Sequence, residues 1–299
     1  MKAISVDIKR YEAFLKIVDC GSVTKAAELL GYSQPGLSHM LSSLESEFGV
    51  SLIVRNQSGL SLTSDGLSLL PRIREVINAK NELESAANEL HGMQSGLIRI
   101  GVFASVAINW LPQILRGFHA QYPNIDIELV FGCYSSIREW IMNGRIDCGF
   151  LRYPLKSNLD CIVTSEDEMI VITPEDHLCA RQKSFPVEKL ADDNFILLEE
   201  GAENEVLEIL DDLNVKPKIR IRASLNQAVA AMVECGFGIS ILPELALRRA
   251  PFKIAKLPLS KPRRRTLCLA MRSIKHTPIA LQHLLNYIKL HNVIDATKL

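Results

Sequence analysis

The sequence predicts an α/β fold preceded by a small, mostly helical N-terminal domain. Three short amphipathic segments follow one another within the first fifty residues, and after residue 96 short β-rich runs alternate with helical patterns. Between these regions, apolar residues recur at alternating steps of four and three, the spacing of a coiled-coil seam. With 299 residues, 47% of them hydrophobic and 23% charged, the chain is long enough for more than one domain.

The first two helices are marked by their apolar spacing and by their ends. Apolar residues at helical spacing between Tyr11 and Val18 predict a helix that ends near Gly21. Ser22 is a suitable N-cap for a second helix over residues 23–30. That helix stops at Gly31, the residue type that most easily adopts a left-handed turn.

The third helix carries a buried stripe on one side and an unusual surface on the other. Ser33 is its predicted N-cap, and Pro35 falls in the first turn, where a missing N–H costs nothing. Its apolar stripe is Leu37, Leu41, Leu44 and Phe48. The opposite face carries short polar side chains rather than lysine and glutamate: Gln34, Ser38, His39 and Ser42. Three helices with a tight glycine turn predict a helix-turn-helix.

Two further segments complete the N-terminal third of the chain. The run "VSLIVRNQSGLSLTSDG" alternates around residues 56–59 and predicts a small hairpin, the wing of a winged helix-turn-helix. A long helix then places its seam at Leu69, Ile73, Val76, Lys80, Leu83, Ala87 and Leu90. This narrow stripe favours dimerisation over packing on a core, which would need a wider apolar face.

The rest of the chain predicts an α/β layout. Its β-rich runs are "LIRIGVF", "DIELVFG", "RIDCGFLR", "EMIVIT", "NFILLEE", "PKIRIRAS", "GISILP" and "LCLAMR". Helical patterns lie between most of them, so mainly parallel strands are expected. Sheets of that kind bind ligands beyond the carboxyl ends of their strands.

Charge and cysteine content narrow the class of protein. The net charge is zero, but residues 166–212 hold 15 acidic and 3 basic residues, whereas residues 244–275 hold 10 basic and 1 acidic. These runs either face each other or form two separately solvated surfaces. Seven cysteines without zinc or disulfide spacing indicate reduced thiols and no metal or other cofactor. With no signal peptide or membrane-length apolar run, we expect a cytoplasmic protein.

The segments "FLKIVDCGSVTKAAELLGYSQPGLSHMLSSLESEFGVSLIVR" and "LSLTSDG" together resemble the DNA-binding domain of the LysR-type transcriptional regulators. Further along, "GLIRIGV", "YPNIDIEL", "NGRIDCGFL" and "VECGFGISILP" are similar to landmarks of that family's effector domain. The resemblance therefore covers essentially the whole chain.

The resemblance implies a winged helix-turn-helix over residues 1–63, a linker and dimerisation helix over 64–92, and an effector-binding domain over 96–299. That last domain would be two-lobed, like the periplasmic binding proteins, with lobe I at about 96–160 and 267–299 and lobe II at about 161–266. It also implies a homodimer that assembles to a homotetramer on double-stranded promoter DNA. A small-molecule effector in the interlobe cleft would then change DNA binding or bending.

The DNA-binding residues expected from these arguments are Lys25, Ser33, Gln34, Ser38, His39, Ser42 and Arg55. Short polar side chains let a helix enter a major groove about 12 Å wide and reach base edges or phosphates. The chain departs from its relatives at His39, where arginine is common, and in the wing, which lacks further basic residues. Residues 1–90 hold 9 basic and 11 acidic residues, so modest electrostatic affinity for each subunit is expected.

The expected ligand-binding residues are Ala104, Ser105, Val106, Tyr134, Ser135, Ser136, Arg152, Gly201, Glu203, Asn226, Phe237 and Ile239. Most of them follow strands or open helices, where backbone N–H groups favour an anion, although the three serines also serve as plain helix caps. The effector is expected to carry a carboxylate for one lobe and a neutral or cationic donor for the other. Arg152 either pairs with the carboxylate or is solvated, and Glu203 would face the donor. The alternative is that the glutamates point to solvent and the effector is a simple aromatic or aliphatic acid.

Three other functions are alternatives to an effector-controlled regulator. An enzyme is disfavoured because no nucleophile elbow, metalloprotease, P-loop or dinucleotide motif is present, so no catalytic residues are expected. A solute-binding protein would need a secretory signal and no N-terminal ninety residues. A redox-responsive regulator of the same fold stays open, because Cys133 and Cys148 flank one predicted helix.

Overall fold

The computed structural model describes residues 7–56, 59–91, 94–199, 201, 203–249 and 251–291, with Arg55 and Asn56 by backbone alone. Gln57 and Ser58 of the predicted wing lie outside the described residues. The chain divides into two compact units, one made of residues 1–92 with 143–145 and the other of the remainder. No helix among the described residues is long and apolar enough to cross a membrane.

The first unit is a winged helix-turn-helix followed by a long helix. Its elements are α1 (Ile8–Cys20), α2 (Val23–Leu30), α3 (Gln34–Phe48), β1 (Ile53–Asn56), β2 (Gly59–Leu62) and α4 (Ser64–Leu90), with β1 and β2 antiparallel. Ser22 and Ser33 cap α2 and α3 by accepting hydrogen bonds from the N–H groups of Lys25 and Gly36. Gly31 has a φ of 72°, so the turn between the two helices depends on a residue without a Cβ.

One side of α3 builds the core of the first unit. Leu37 and Leu44 are fully buried, together with Phe14 of α1 and Leu52 just before β1. Glu45, also on α3, ties the wing to this core. Its Oε1 accepts hydrogen bonds from the backbone N–H groups of Leu52, at 2.7 Å, and of the residue after it, at 3.2 Å. The outer face of α3 is therefore fixed in position by its inner face.

The predicted seam of α4 is wrong at its first two positions. Ile73 is buried in the core of the first unit, and Leu69 packs against the same core. Residues of α1 and the wing belong to the same core and offer them an apolar surface within the same chain. Later in the helix the seam leaves that surface, and Leu83 is 71% and Leu90 89% exposed.

The second unit is an α/β structure. Its strands are β3 (Ser95–Val102), β4 (Asn124–Phe131), β5 (Cys148–Tyr153), β6 (Asp160–Pro174), β7 (Asn194–Leu198), β8 (Lys218–Ala223), β9 (Ser240–Pro243) and β10 (Ile254–Met271). Its helices are α5 (Ala104–Asn109), α6 (Leu111–Gln121), α7 (Tyr134–Met142), α8 (Glu205–Asp212), α9 (Asn226–Glu234), α10 (Glu244–Leu247) and α11 (Ile279–His291).

The strands are less uniformly parallel than the sequence predicts. Six strands form one sheet in the order β4-β3-β5-β10-β6-β9, and β7 pairs with β8 separately. The pairs β3–β4, β3–β5 and β7–β8 are parallel, whereas β10 pairs antiparallel with both β5 and β6, and β6 with β9. The difference arises because β6 and β10 are longer than their apolar runs indicate and run past each other in opposite directions.

These two long strands connect two separate hydrophobic cores. The first core gathers residues of β3, β5, α6, α7 and α11 with the last part of β10, and the second gathers those of β7, β9, α8 and α9 with the first part of β10. Asp167 and Arg265 lie in the middle of β6 and β10, between the two cores, and their Cα atoms are register partners. The acidic and basic runs of the sequence therefore meet here, because Glu166 also pairs with Arg264 at 3.1 Å.

Candidate functional site

The outer face of α3 is exposed and carries short polar side chains. Gln34, His39 and Ser42 are exposed, and the Gln34 Nε2 donates a hydrogen bond to the Ser38 Oγ at 3.0 Å. Ser33 is occupied as the helix cap. The face opposite the buried leucines is therefore an open surface of hydrogen-bonding groups on a rigid helix, as a helix that enters the major groove requires.

Few cations accompany this face. Lys25 on α2 is exposed, but Arg10 pairs with Glu47 and Asp7, both at 3.1 Å, and Arg74 is buried against Asp19. The Arg55 side chain lies outside the described atoms.

A pocket lies within the second unit, beside both of its cores. It is lined by Phe103, Cys133, Tyr134, Met169, Leu198, Glu203, Asn204, Glu205 and Val206. The pocket has a volume of about 20 Å³, room for roughly one water molecule. In this structure the pocket is therefore too small for a metabolite-sized ligand.

Arg265 lies beside this pocket, at the centre of a cluster of charged side chains. It is only 6% exposed. Its Nε and Nη2 donate to the Asp167 Oδ2 at 2.9 and 2.7 Å, and its Nη2 also donates to the Ser105 Oγ at 3.2 Å. Its Nη1 donates to the Tyr134 hydroxyl and to the Glu205 Oε2, both at 3.1 Å. All five N–H groups of the guanidinium are thus engaged.

Electrostatics and packing hold this arginine charged. Burial alone would lower the pKa of Arg265, but Tyr134, Glu205 and Asp167 outweigh burial and raise its pKa overall. The guanidinium also lies over the ring of Phe103, 5.4 Å from the ring centre. Asp167 is fixed in turn, because its Oδ1 accepts a hydrogen bond from the Leu245 N–H at 2.9 Å.

Sequence reasoning missed Arg265 and Glu205. Ser105 and Tyr134, which it did select, accept hydrogen bonds from Arg265 on the side of the first core. The available signal was the acidic run opposite the basic run, because Arg265 belongs to the basic run and both of its carboxylate partners to the acidic one. The pairing register of β6 and β10 was needed to connect them.

Two other residues selected from the sequence are already engaged with protein groups. The Arg152 Nη2 lies 2.6 Å from the Glu208 Oε2, and the Arg152 Nη1 lies 3.7 Å from the Glu205 Oε1. Burial opposes the charge of Arg152, but these two glutamates raise its pKa overall. Glu203 pairs with Arg138 at 2.7 Å. A ligand in this pocket would therefore compete with ion pairs that the protein makes internally.

The remaining selected residues divide into two groups. Ser135, Ser136 and Gly201 lie around Cys133 at the edge of the pocket, and Ala104 opens α5 beside Ser105. The other four are not among the pocket-lining residues of the described chain. Val106 and Ile239 belong to the hydrophobic cores. Asn226 is buried at the start of α9, and Phe237 is 57% exposed.

The two cysteines of the redox hypothesis differ in their surroundings. Burial opposes ionisation of Cys133, but hydrogen bonds with Ser135 and Ser136, both at 3.2 Å, bring its pKa below the ordinary value. Burial raises the pKa of Cys148 well above its ordinary value. All seven cysteines are free thiols, so the two do not form a disulfide in this structure.

An exposed helix-turn-helix face in one unit and a pocket between two α/β cores in the other define a class of protein. They are typical of a DNA-binding regulator with an effector-binding domain. Two family models match the chain, one described as a bacterial regulatory helix-turn-helix protein of the lysR family over residues 8–67, the other as a LysR substrate binding domain over residues 91–292. The chain belongs to the LysR family of transcriptional regulators.

Individual relatives cover nearly the whole chain. The uncharacterised regulator YvbU of Bacillus subtilis is 29% identical over 278 residues, which are 91% of this chain and 94% of YvbU. The transcriptional activator CmpR of Synechocystis is 28% identical over 292 residues, 95% of each chain. Two solved structures share the fold. Full-length OxyR from Pseudomonas aeruginosa is 21% identical, with a TM-score of 0.74 and 97% coverage of each chain. CbnR in complex with its target DNA is 20% identical, with a TM-score of 0.68 and coverage of 95% of this chain and 99% of CbnR.

We expect Arg265→Met to lower the free energy of unfolding by about 3–5 kcal/mol, because it leaves Asp167 and Glu205 without their buried cation. Arg264→Met is the matched control, since its ion pair with Glu166 is more than half exposed and contributes less than about 1 kcal/mol. Urea denaturation of both variants measures the difference. Equal losses would mean that the buried position of Arg265 confers no special stability.

Proposed function

We propose that the outer face of α3 reads promoter DNA, that two chains pair through the exposed part of α4, and that two such dimers form a homotetramer. The observation that carries this proposal is the exposure of Gln34, His39 and Ser42 opposite the fully buried Leu37 and Leu44. Ser33, Ser38, Lys25 and Arg55 complete the proposed contact surface. The family match to residues 8–67 supports a regulator over a solute-binding protein, and the regulator relatives support assigning no catalytic role.

Because few free cations lie near α3 among the described side chains, we make oligomerisation part of the proposed binding mechanism. Nonspecific affinity for DNA depends mainly on phosphate neutralisation by lysine and arginine. With Arg10 and Arg74 engaged in ion pairs, one subunit offers little of that attraction. Two or four linked subunits bind adjacent half-sites with a high effective concentration, which compensates for weak individual contacts. We place this assembly in the cytoplasm, with the bacterial DNA.

The pocket beside Arg265 is the proposed effector site, and a carboxylate-bearing metabolite is the proposed effector. A buried guanidinium with planar donors favours a carboxylate over a neutral group. The CbnR complex supports the DNA-binding half of the proposal for this chain, whereas the charge around Arg265 supports the effector half. Lobe I would span about residues 96–160 and 267–299, and lobe II about 161–266.

His39→Ala and Gln34→Ala should each weaken specific promoter binding, because a side chain that reads a base edge contributes about 1–3 kcal/mol of discrimination. Gel-shift titration at fixed salt measures the effect, with Glu82→Ala on the exposed surface of α4 as a control. Specific binding unchanged in both α3 variants would remove this face from the DNA interface.

Leu83→Asp should convert the oligomer to smaller species and abolish promoter binding, because it places a charge in an apolar seam. The denaturation midpoint of the monomer fold should stay unchanged, since Leu83 is exposed within its own chain. Ser85→Asp adds the same charge on the opposite side of the helix and serves as the control. Sedimentation velocity measures both, and an undisturbed Leu83→Asp oligomer would show that α4 does not pair the chains.

A thermal-shift screen tests the effector half. Carboxylic acid metabolites and their amide counterparts are added to the full-length chain, and a ligand that binds the folded state raises its melting temperature by mass action. We expect acids but not amides to stabilise the protein. Stabilisation by amides or amines alone would contradict the proposed effector class.

A further inference from the structure

The Glu205 side chain lies where the cationic and hydroxyl groups of the pocket converge. Its Oε2 accepts a hydrogen bond from Arg265, and its Oε1 lies 3.7 Å from the Arg152 Nη1 and 3.5 Å from the Tyr134 hydroxyl. Only 12% of the side chain is exposed. Glu205 is also the first residue of α8, where the helix dipole favours a negative charge. The protein therefore places its own carboxylate at the position best suited to an anion.

The hydrogen bonds of Arg265 leave no donor for a further carboxylate. Its five N–H groups are all engaged, so an incoming anion has to replace one of the present partners. Asp167 is the harder partner to replace, because it accepts two of the five hydrogen bonds and a third from the backbone of Leu245. Glu205 accepts a single hydrogen bond from Arg265 and lines the pocket.

The charge balance leads to the same residue. Four cations, Arg138, Arg152, Lys156 and Arg265, are paired with four carboxylates: Asp167, Glu203, Glu205 and Glu208. The group is already electrically balanced, so an added carboxylate brings one uncompensated negative charge and is disfavoured unless one resident carboxylate moves away. Glu205 has a cation to move towards, since Arg152 lies within 4 Å of its other oxygen.

We propose that Glu205 is a resident carboxylate that occupies the anion position on Arg265 until an effector carboxylate exchanges with it. Glu205 then pairs with Arg152, and Tyr134 and Ser105 remain to orient the effector beside Arg265. The inference rests on the proposed function, because it takes this pocket as the effector site. The exchange adds the step by which the effector reaches Arg265. It also identifies Glu205 as the residue whose displacement the effector's binding free energy must offset.

The exchange has a structural consequence for the two cores. Glu205 belongs to α8, which packs in the second core, whereas Tyr134 begins α7, which packs in the first. Arg265 lies on the strand between them. When the Glu205 carboxylate leaves Arg265 and Tyr134, a direct polar link between the two cores is lost, and the effector provides the replacement. Effector binding thereby changes how the two cores are connected.

Chemical rescue tests this proposal without knowledge of the natural effector. In full-length Glu205→Ala, acetate is small enough to fill the vacated position and carries the same carboxylate. The melting temperature of this variant should lie below that of the wild type and should rise saturably with sodium acetate, by about 3 °C or more beyond the effect of sodium chloride at equal ionic strength. Acetamide, the neutral counterpart, should have no such effect.

The matched control is Glu208→Ala, one turn further along α8. Glu208 pairs with Arg152 and, among the described contacts, makes none to Arg265. Wild type and Glu208→Ala should respond to acetate as they do to chloride. If Glu205→Ala fails to fold, Glu205→Ser takes its place, because it also vacates the carboxylate position, and it should gain the same acetate-specific stabilisation.

Each outcome supports or overturns the proposal. A folded Glu205 variant with no acetate-specific rise beyond that of Glu208→Ala overturns it, as does stabilisation of the wild type by methylammonium that Glu205→Ala abolishes, because Glu205 would then bind a cationic effector. The metabolite screen on the wild type tests the proposed function separately. Acetate rescue without any stabilising metabolite would uphold the anion position and reject the effector role, and the reverse result would reject only the exchange.

Discussion

The ion pair between Arg265 and Asp167 is the interaction on which the arrangement of the second unit depends. It lies on the two strands that connect the hydrophobic cores, and it is buried on both sides. A buried charge without a partner is strongly destabilising, so each group requires the other. Because Arg265 has donors left after binding Asp167, it also draws in Ser105 and Tyr134 from one core and Glu205 from the other. One guanidinium thereby sets the geometry of the pocket.

This arrangement suits a site that must respond to a ligand. A pocket occupied by an internal ion pair can exchange one anion for another at similar electrostatic energy. A ligand shifts a conformational equilibrium only by its difference in affinity for the two states. An effector that replaces Glu205 meets that condition, because its contacts exist in one state and those of Glu205 in the other.

The DNA-binding unit follows a different physical rule. Its outer face has few charges, and two of its arginines are used to hold the domain together. In the function that we propose, affinity depends on how many subunits bind at once, and specificity on a few short side chains at the surface of α3. Binding by several subunits requires a helix that can pair them, and α4 is the proposed one. Its early residues stabilise the domain, while its later ones remain exposed. The same helix thus serves folding in its first half and, as we propose, assembly in its second.

The sequence by itself determined the local structure and the family. The helices of the first unit were predicted from the apolar spacing, from the caps Ser22 and Ser33, and from the turn at Gly31. These signals suffice because caps and left-handed turns depend on neighbouring residues alone. Short apolar runs located the strands, but they could not reveal that β6 and β10 extend through charged residues, since those charges are satisfied only across the sheet. Only the tertiary structure brought Arg265 to Asp167 and Glu205, which lie 98 and 60 residues away in the chain. Strand register, a long-range property, decided that pairing. Packing against α1 and the wing decided the place of Leu69 and Ile73 in a core rather than a seam.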